Sequence, residues 1–143
     1  MPAHLRPATT DDAAAIAGLL TQLGYPTLVD AARARLADLL RRGPPDRVVV
    51  AEMDGKVVAV MTLHLTPELH RARPIGRVTA LVVDESVRGS GVGAEMMEEA
   101  ERILREDGAG LLELTSNMRR VDAHRFYERL GYQKTSFRFA KEL

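Results

Sequence analysis

An α/β layer protein on a mixed sheet is predicted by three observations. Helix and strand periods alternate along the chain, three apolar strand runs cluster around a tight-turn signal, and the last strand runs are separated by helical ones. At 143 residues, the span 1–143 reads as a single domain with one core.

Composition removes several classes of function. Twenty Lys plus Arg balance twenty Asp plus Glu, so no overall positive field draws the protein to nucleic acid or anionic lipid, and neither is expected as a partner. The chain has no cysteine, which excludes disulfides, thiolate metal sites and a cysteine nucleophile and agrees with a reducing compartment; the cytoplasm is the expected location. The start, "MPAHLRPATTDDAAAIAGLL", has no basic head and no run near the ~20 apolar residues of a membrane span, so a soluble protein is expected.

"HLRPA" reads as a short strand. Thr10, Asp11 and Asp12 then supply an N-cap and a negative first turn to a helix carrying Ile16, Leu19, Leu20 and Leu23 on one side, which "LGYPT" breaks. A second helix near residues 29–42 stops at Gly43-Pro44-Pro45, in the linker-like stretch "RRGPPD", read as a connection inside the domain. "RVVVAEM" and "KVVAVMTLHL" flank Asp54-Gly55, a two-residue hairpin signal, and "GRVTALVV" is apolar enough to be central. Val92, Met96, Ala100, Ile103 and Leu104 recur at helical spacing up to Asp107-Gly108. "GLLELTS" reads as a strand, "RRVDAHRFYERLG" as a helix with Ala123, Phe126, Tyr127 and Leu130 on one face, and "YQKTSFRFA" as a closing strand.

The stretch "VRGSGVG", residues 87–93, carries the strongest chemical signal. Most such glycine turns only reverse the chain. A Walker loop would need lysine followed by Ser or Thr after its second glycine, and neither is present. Gly89, Gly91 and Ala94 fit the dinucleotide pattern G-x-G-x-x-A with Glu113 beyond, but that pattern starts at the strand's end, whereas Asp84 to Arg88 intervene after Val83. In the third reading, R-x-x-G-x-G, Arg88, Gly91 and Gly93 fill the pattern. The amides from Gly89 through Ser90 and Val92 to Ala94, the positive helix end and one guanidinium converge on a diphosphate, each charge-assisted bond contributing roughly 1.5–3 kcal/mol. The pyrophosphate of coenzyme A suits such a cradle.

This loop, the strand "TALVVDESV" before it and the segment "N...AHRFYERLGY" after it resemble the signature of the GNAT superfamily of acetyl-CoA-dependent N-acetyltransferases. The resemblance runs the length of the chain from "LRPATTDD". Within the superfamily, "MTLHLTPELH", "ELTSNMRRVDAHRFYERLGY" and "SFRFAKEL" are similar to aminoalkylphosphonate N-acetyltransferases. The resemblance implies the GNAT fold, a central mixed, mostly antiparallel twisted sheet of about six to seven strands flanked by about four helices. It also implies acetyl-CoA as co-substrate, a small-molecule primary amine as acceptor, an aminoalkylphosphonate first, and direct attack in a ternary complex. Dimers are frequent in the family, so a homodimer is an expectation, although no exposed apolar stripe marks an interface. The rivals are another amine (an aminoglycoside, a polyamine or a protein N-terminus) and a non-catalytic acyl-CoA-binding module.

Acetyl transfer needs a neutral amine, a polarised carbonyl and a proton for the departing thiolate. An alkylamine is neutral on the order of once in a thousand molecules or fewer at pH 7, so removing its proton accounts for roughly 4–5 kcal/mol of the barrier. Tyr127 stands where the family's motif has its general acid, although a tyrosine on an apolar helix face ordinarily only packs. The amides of Leu81, Val82 and Val83 are candidates for pairing with pantetheine and polarising the carbonyl, with core side chains behind them. Asn117 matches the family's cofactor-binding Asn, or else caps a turn. The chain departs from the family where a Glu often precedes the glycine loop, having Thr79 and Ala80 there. His64 and Glu113 are therefore the candidates for a base acting through water. In "LHRARPIGR", Arg71, Arg73 or Arg77 could meet a phosphonate. A structural metal on His64 and His70 has little support without thiols or tight ligand spacing, while a divalent ion bridging a phosphonate stays open.

Overall fold

The computed structural model describes residues 2–143. It contains two compact units, one reaching Glu113 and the other Leu114–Leu143. Five strands form one sheet in the order β1 to β5: β1 His4–Pro7, β2 Arg47–Met53, β3 Lys56–Thr66, β4 Ile75–Val83 and β5 Leu111–Leu114. The helices are α1 Ala13–Leu23, α2 Val29–Arg42, α3 Val92–Glu106 and α4 Val121–Arg129.

The first four strands are antiparallel neighbours. Asp54 and Gly55, at φ 53° and 75°, make the predicted β2–β3 hairpin turn, with Met53 opposite Lys56. Two bulges then reset the registers, one in β2–β3 at Ala51/Glu52 and one in β3–β4 at Thr62/Leu63. α3 connects the neighbouring strands β4 and β5, the helical crossover the sequence predicts.

Strand alternation divides the core of the first unit between the two faces of the sheet. Val48, Val50, Val60 and Val82 pack with Ile16 and Leu19 of α1 and Leu36 of α2. Met96, Met97, Ala100 and Leu104 form the buried stripe of α3 against β3 and β4. β4 and α3 approach closely at Gly76, where an added Cβ would lie 2.7 Å from Leu104 Cδ1.

Some expectations need correction. The sheet has five strands among the described residues, not six or seven, because "YQKTSFRFA" forms none. Phe137 and Phe139 are exposed, so the alternation there buries no face that would hold a strand. The predicted cap belongs to a short 3-10 turn, Thr10–Asp12, whose N-cap is Thr9, while α1 itself has Asp12 as N-cap; Asp12 Oδ2 accepts the Thr9 amide at 2.8 Å.

Candidate active site

The glycine loop leaves β4 through a pinned connection. Asp84 donates its amide to Val58 O at 2.7 Å, and its carboxylate accepts the Ser86 hydroxyl at 2.6 Å, the Ser86 amide at 2.9 Å and Gln22 Nε2 at 3.2 Å. These bonds hold the Asp84 carboxyl below the usual range, those from Ser86 contributing most. Gly89 and Gly91 then adopt φ 83° and 94°, a region open to glycine, and Gly91 is the N-cap of α3. A Cβ at either would meet nothing within 4 Å, so the cradle is open. The first-turn amides of α3, including Val92 and Gly93, have no acceptor within the helix, which suits an anion. Two expected donors are partly committed: Ser90 N donates to Val87 O at 3.2 Å, and Arg88 Nε donates to Val83 O at 3.3 Å, leaving its terminal nitrogens for a ligand.

The Asp84 amide bond also fixes the alternation along β4. Val82 directs its N–H toward β3, and Leu81 and Val83 direct theirs toward the β5 side, so of the three only the latter two amides lie outside the β3–β4 ladder. The side chains follow suit: Val82 is buried, whereas Leu81 and Val83 are half-buried and not the core residues expected.

On the face bearing Val60 and Val82, β3 turns polar at Thr62 and His64. His64 Nδ1 lies 2.8 Å from Asp46 Oδ1, and its Nε2 lies 3.1 Å from Thr79 Oγ1. Asp46 accepts a second bond, from Arg42 Nε at 2.8 Å, and its carboxyl is held below the usual range chiefly by the His64 hydrogen bond. Thr79 is the extra residue of the β4 bulge, and its hydroxyl shares a short hydrogen bond with that of Thr62. The sequence reading found His64 but not Asp46, which it placed in a linker.

The other acceptor-site candidates divide. Glu113 Oε1 accepts Arg77 Nη1 at 3.1 Å, so this base candidate and this phosphonate candidate already pair with each other. Arg73 lies against Gly110 and, with Glu101, Leu104 and Arg105, lines a hollow of about 270 Å³. Its guanidinium therefore stands over the β4–α3–β5 packing, apart from the polar end of β3. Arg71 is exposed. His70 pairs with Glu68 at 3.2 Å and His64 with Asp46, and among the described residues no three His, Cys, Asp or Glu side chains gather as a metal site.

The second unit carries the remaining candidates. Asn117 Oδ1 accepts the Arg119 amide at 2.9 Å, so its side chain caps the turn into α4, leaving its amide nitrogen for a ligand. Its carbonyl is 2.9 Å from His124 Nε2, a contact no sequence signal indicated. Ser116 Oγ is enclosed with no hydrogen-bond partner among the described residues. Tyr127 is half-buried, with ring centroids 5.1 Å from Phe126 and 6.2 Å from Tyr132, both edge-on. Burial raises its phenol above the usual value, with the Arg120 charge opposing.

The chain thus carries a bulged central strand that leads through a glycine cradle into a helix start. The solved structure of a Trypanosoma brucei acetyltransferase matches it with a TM-score of 0.82 and 27% identity, covering 99% of this chain and 100% of that one. The sequence pattern of the Acetyltransferase (GNAT) family matches residues 15–132, and the chain belongs to that family. It is 38% identical over 145 residues to an aminoalkylphosphonate N-acetyltransferase of Salmonella typhimurium, covering 98% of this chain and 91% of the relative. It is 31% identical over 110 residues to a glucosamine 6-phosphate N-acetyltransferase of Trypanosoma brucei brucei, covering 76% of this chain and 73% of the relative. The protein is thus an N-acetyltransferase of a family that uses acetyl-CoA as co-substrate. No helix among the described residues is long and apolar enough to cross a membrane.

Proposed function

We propose that the protein transfers the acetyl group of acetyl-CoA to the primary amine of a small molecule, an aminoalkylphosphonate first. The near full-length identity to the Salmonella relative carries this reading. The second relative supports its class, because both names join an amine to a phosphorus oxyanion. Residues 1–143 act as one domain, a reading supported by a family match that runs through the boundary between the two units. The cytoplasm is the proposed setting, in keeping with a chain free of cysteine.

In the proposed reaction, the amine nitrogen attacks the thioester carbonyl carbon in a ternary complex. A C–N bond forms, the C–S bond breaks, the amine gives up a proton and the thiolate sulfur takes one from Tyr127. Gly89 to Gly93 and Arg88 hold the pyrophosphate, and the amides of Leu81 and Val83 pair with the pantetheine arm. The amide nitrogen of Asn117 is a further cofactor donor.

The test is thiol release from acetyl-CoA with a panel of 2-aminoethylphosphonate, glucosamine 6-phosphate, an aminoglycoside, spermidine and a peptide N-terminus. The highest kcat/KM is expected for 2-aminoethylphosphonate. A higher value for an amine without phosphorus overturns the acceptor, and acetyl-CoA binding without release for any amine would favour a binding module.

A further inference from the structure

We infer that Asp46, His64 and Thr79 form the proton-accepting chain for the acceptor amine. This rests on the acetyltransferase reading above. Because the Asp46 carboxylate only accepts hydrogen bonds, the 2.8 Å contact places the hydrogen of a neutral imidazole on Nδ1. Nε2 is then an acceptor, and at 3.1 Å it takes the Thr79 hydroxyl hydrogen. With the Thr79 hydrogen on His64, the short hydrogen bond between the two threonines has Thr62 as its donor, and the remaining lone pair of Thr79 Oγ1, on the exposed bulge of β4, is where an amine can donate. The protons balance: the ammonium form of the amine has no lone pair, so one of its protons first passes to Thr79 Oγ1 as the Thr79 proton passes to His64 Nε2; the neutral nitrogen then attacks carbon, its second proton replaces through water the one Tyr127 gives to sulfur, and Asp46 faces the imidazolium. The proton later leaves to water.

Asp46 is a positioning residue, and Arg42 Nε, at 2.8 Å from its other oxygen, locks its carboxylate plane. The charged groups around the imidazole are Asp46 and Arg42 on one side and Arg77, opposite His64 in register, on the other; Arg77 is paired with Glu113. The polar arrangement is half-enclosed, with the His64 side chain 24% and the Asp46 side chain 16% exposed. A network serving only to tie β2 to β3 would need no second contact from Nε2 to an exposed hydroxyl on β4.

The pH dependence of thiol release with 2-aminoethylphosphonate separates the two roles. His64→Ala is expected to lower kcat/KM at pH 7 about 10²–10³-fold, to recover toward wild type as rising pH deprotonates the amine in solution, and to regain activity with added imidazole. Asp46→Asn is expected to lower it about tenfold and displace the acidic limb of the profile. Thr79→Val loses that limb, and Thr79→Ser, which keeps a hydroxyl, retains it. A wild-type acidic limb in both His64→Ala and Thr79→Val overturns the chain while leaving the acetyltransferase reading intact; wild-type protein that binds acetyl-CoA but releases no thiol overturns both.

Discussion

Arg6 holds Asp12 in a two-pronged ion pair, Nη1 to Oδ2 at 2.9 Å and Nη2 to Oδ1 at 2.8 Å. Arg6 Nε also reaches Glu52 Oε1 at 2.7 Å, so one guanidinium ties β1 to β2 and to the turn that starts α1. Asp12 is the only buried charged side chain among the described residues. Removing its partner strands a carboxylate in the core, and Arg6→Ala is expected to destabilise the fold by roughly 3 kcal/mol, the low end for a broken buried pair. Urea unfolding at pH 7 measures it.

The same pair sets an acid limit on stability. The Asp12 carboxyl is held below its usual range, first by the Arg6 hydrogen bond and also by the Thr9 amide, against burial. The folded form therefore binds the proton more weakly than the unfolded chain. The stabilisation is complete above the unfolded value of about 3.9 and drains away as pH falls below it toward the folded value. Wild-type stability should fall more steeply than that of Arg6→Ala below about pH 4; parallel curves would show that Asp12 is not the group responsible.

Gly76 on β4 is a packing position. A Cβ there would be 2.7 and 2.9 Å from the two Leu104 methyl carbons, and Leu104 is 1% exposed, with little room to turn aside. Gly76→Ala should cost roughly 1–3 kcal/mol by overpacking. In the double variant with Leu104→Ala the two costs should not add, because the second change vacates the space the first one needs. Additive costs in a thermal or urea double-mutant cycle would assign the loss to the strand backbone instead.

The elements of this fold were legible because each has a local cause: the Asp54-Gly55 turn, the α3 stripe from Val92 to Leu104, the break of α1 within "LGYPT" and the end of α3 at Asp107-Gly108 all stand where their patterns put them. The Asp46–His64 contact was not, and the reason is register. Counted back from Met53 opposite Lys56 without interruption, Leu63 falls opposite Asp46. The bulge at Ala51/Glu52 moves the count by one, so that Arg47 faces Leu63 and Asp46 comes beside His64. Nothing in "RVVVAEM" announces that bulge. The second bulge turns Thr79 out of the β4 ladder in the same way, and "YQKTSFRFA" shows the converse, an alternating sequence that forms no strand and leaves Phe137 and Phe139 exposed.

Gly91 is required twice at the cradle, once for its φ of 94° at the N-cap of α3 and once for the open space above it. Gly91→Val places a β-branched side chain in a left-handed conformation, at a cost on the order of 1–3 kcal/mol, and fills the site where the pyrophosphate is proposed to sit. The Kd of acetyl-CoA should rise at least tenfold, with the KM of the amine changed much less. Calorimetric titration with acetyl-CoA measures the first and steady-state kinetics the second. An equal loss for both substrates would point to a general loosening of the loop, not to a diphosphate site.

Tyr127 is the residue on which proton delivery to the thiolate depends in the proposed reaction. Burial raises its phenol above the ordinary value near 10, so the acid form persists through the whole range in which the amine is activated. The raised value makes the phenol a weaker acid than a thiol near 8.5, so its contribution is a hydrogen bond to the sulfur as charge builds there during C–S cleavage, with the proton following once the amine has released its own. Tyr127→Phe keeps the ring that meets Phe126 and Tyr132 edge-on and removes only the hydroxyl. It should lower kcat about 10²-fold while leaving acetyl-CoA binding within about twofold. Above pH 10 the wild-type rate should decline as the phenol ionises, and the variant should lack that decline. A variant with unchanged kcat at pH 7 would return Tyr127 to a packing role and leave water as the proton donor.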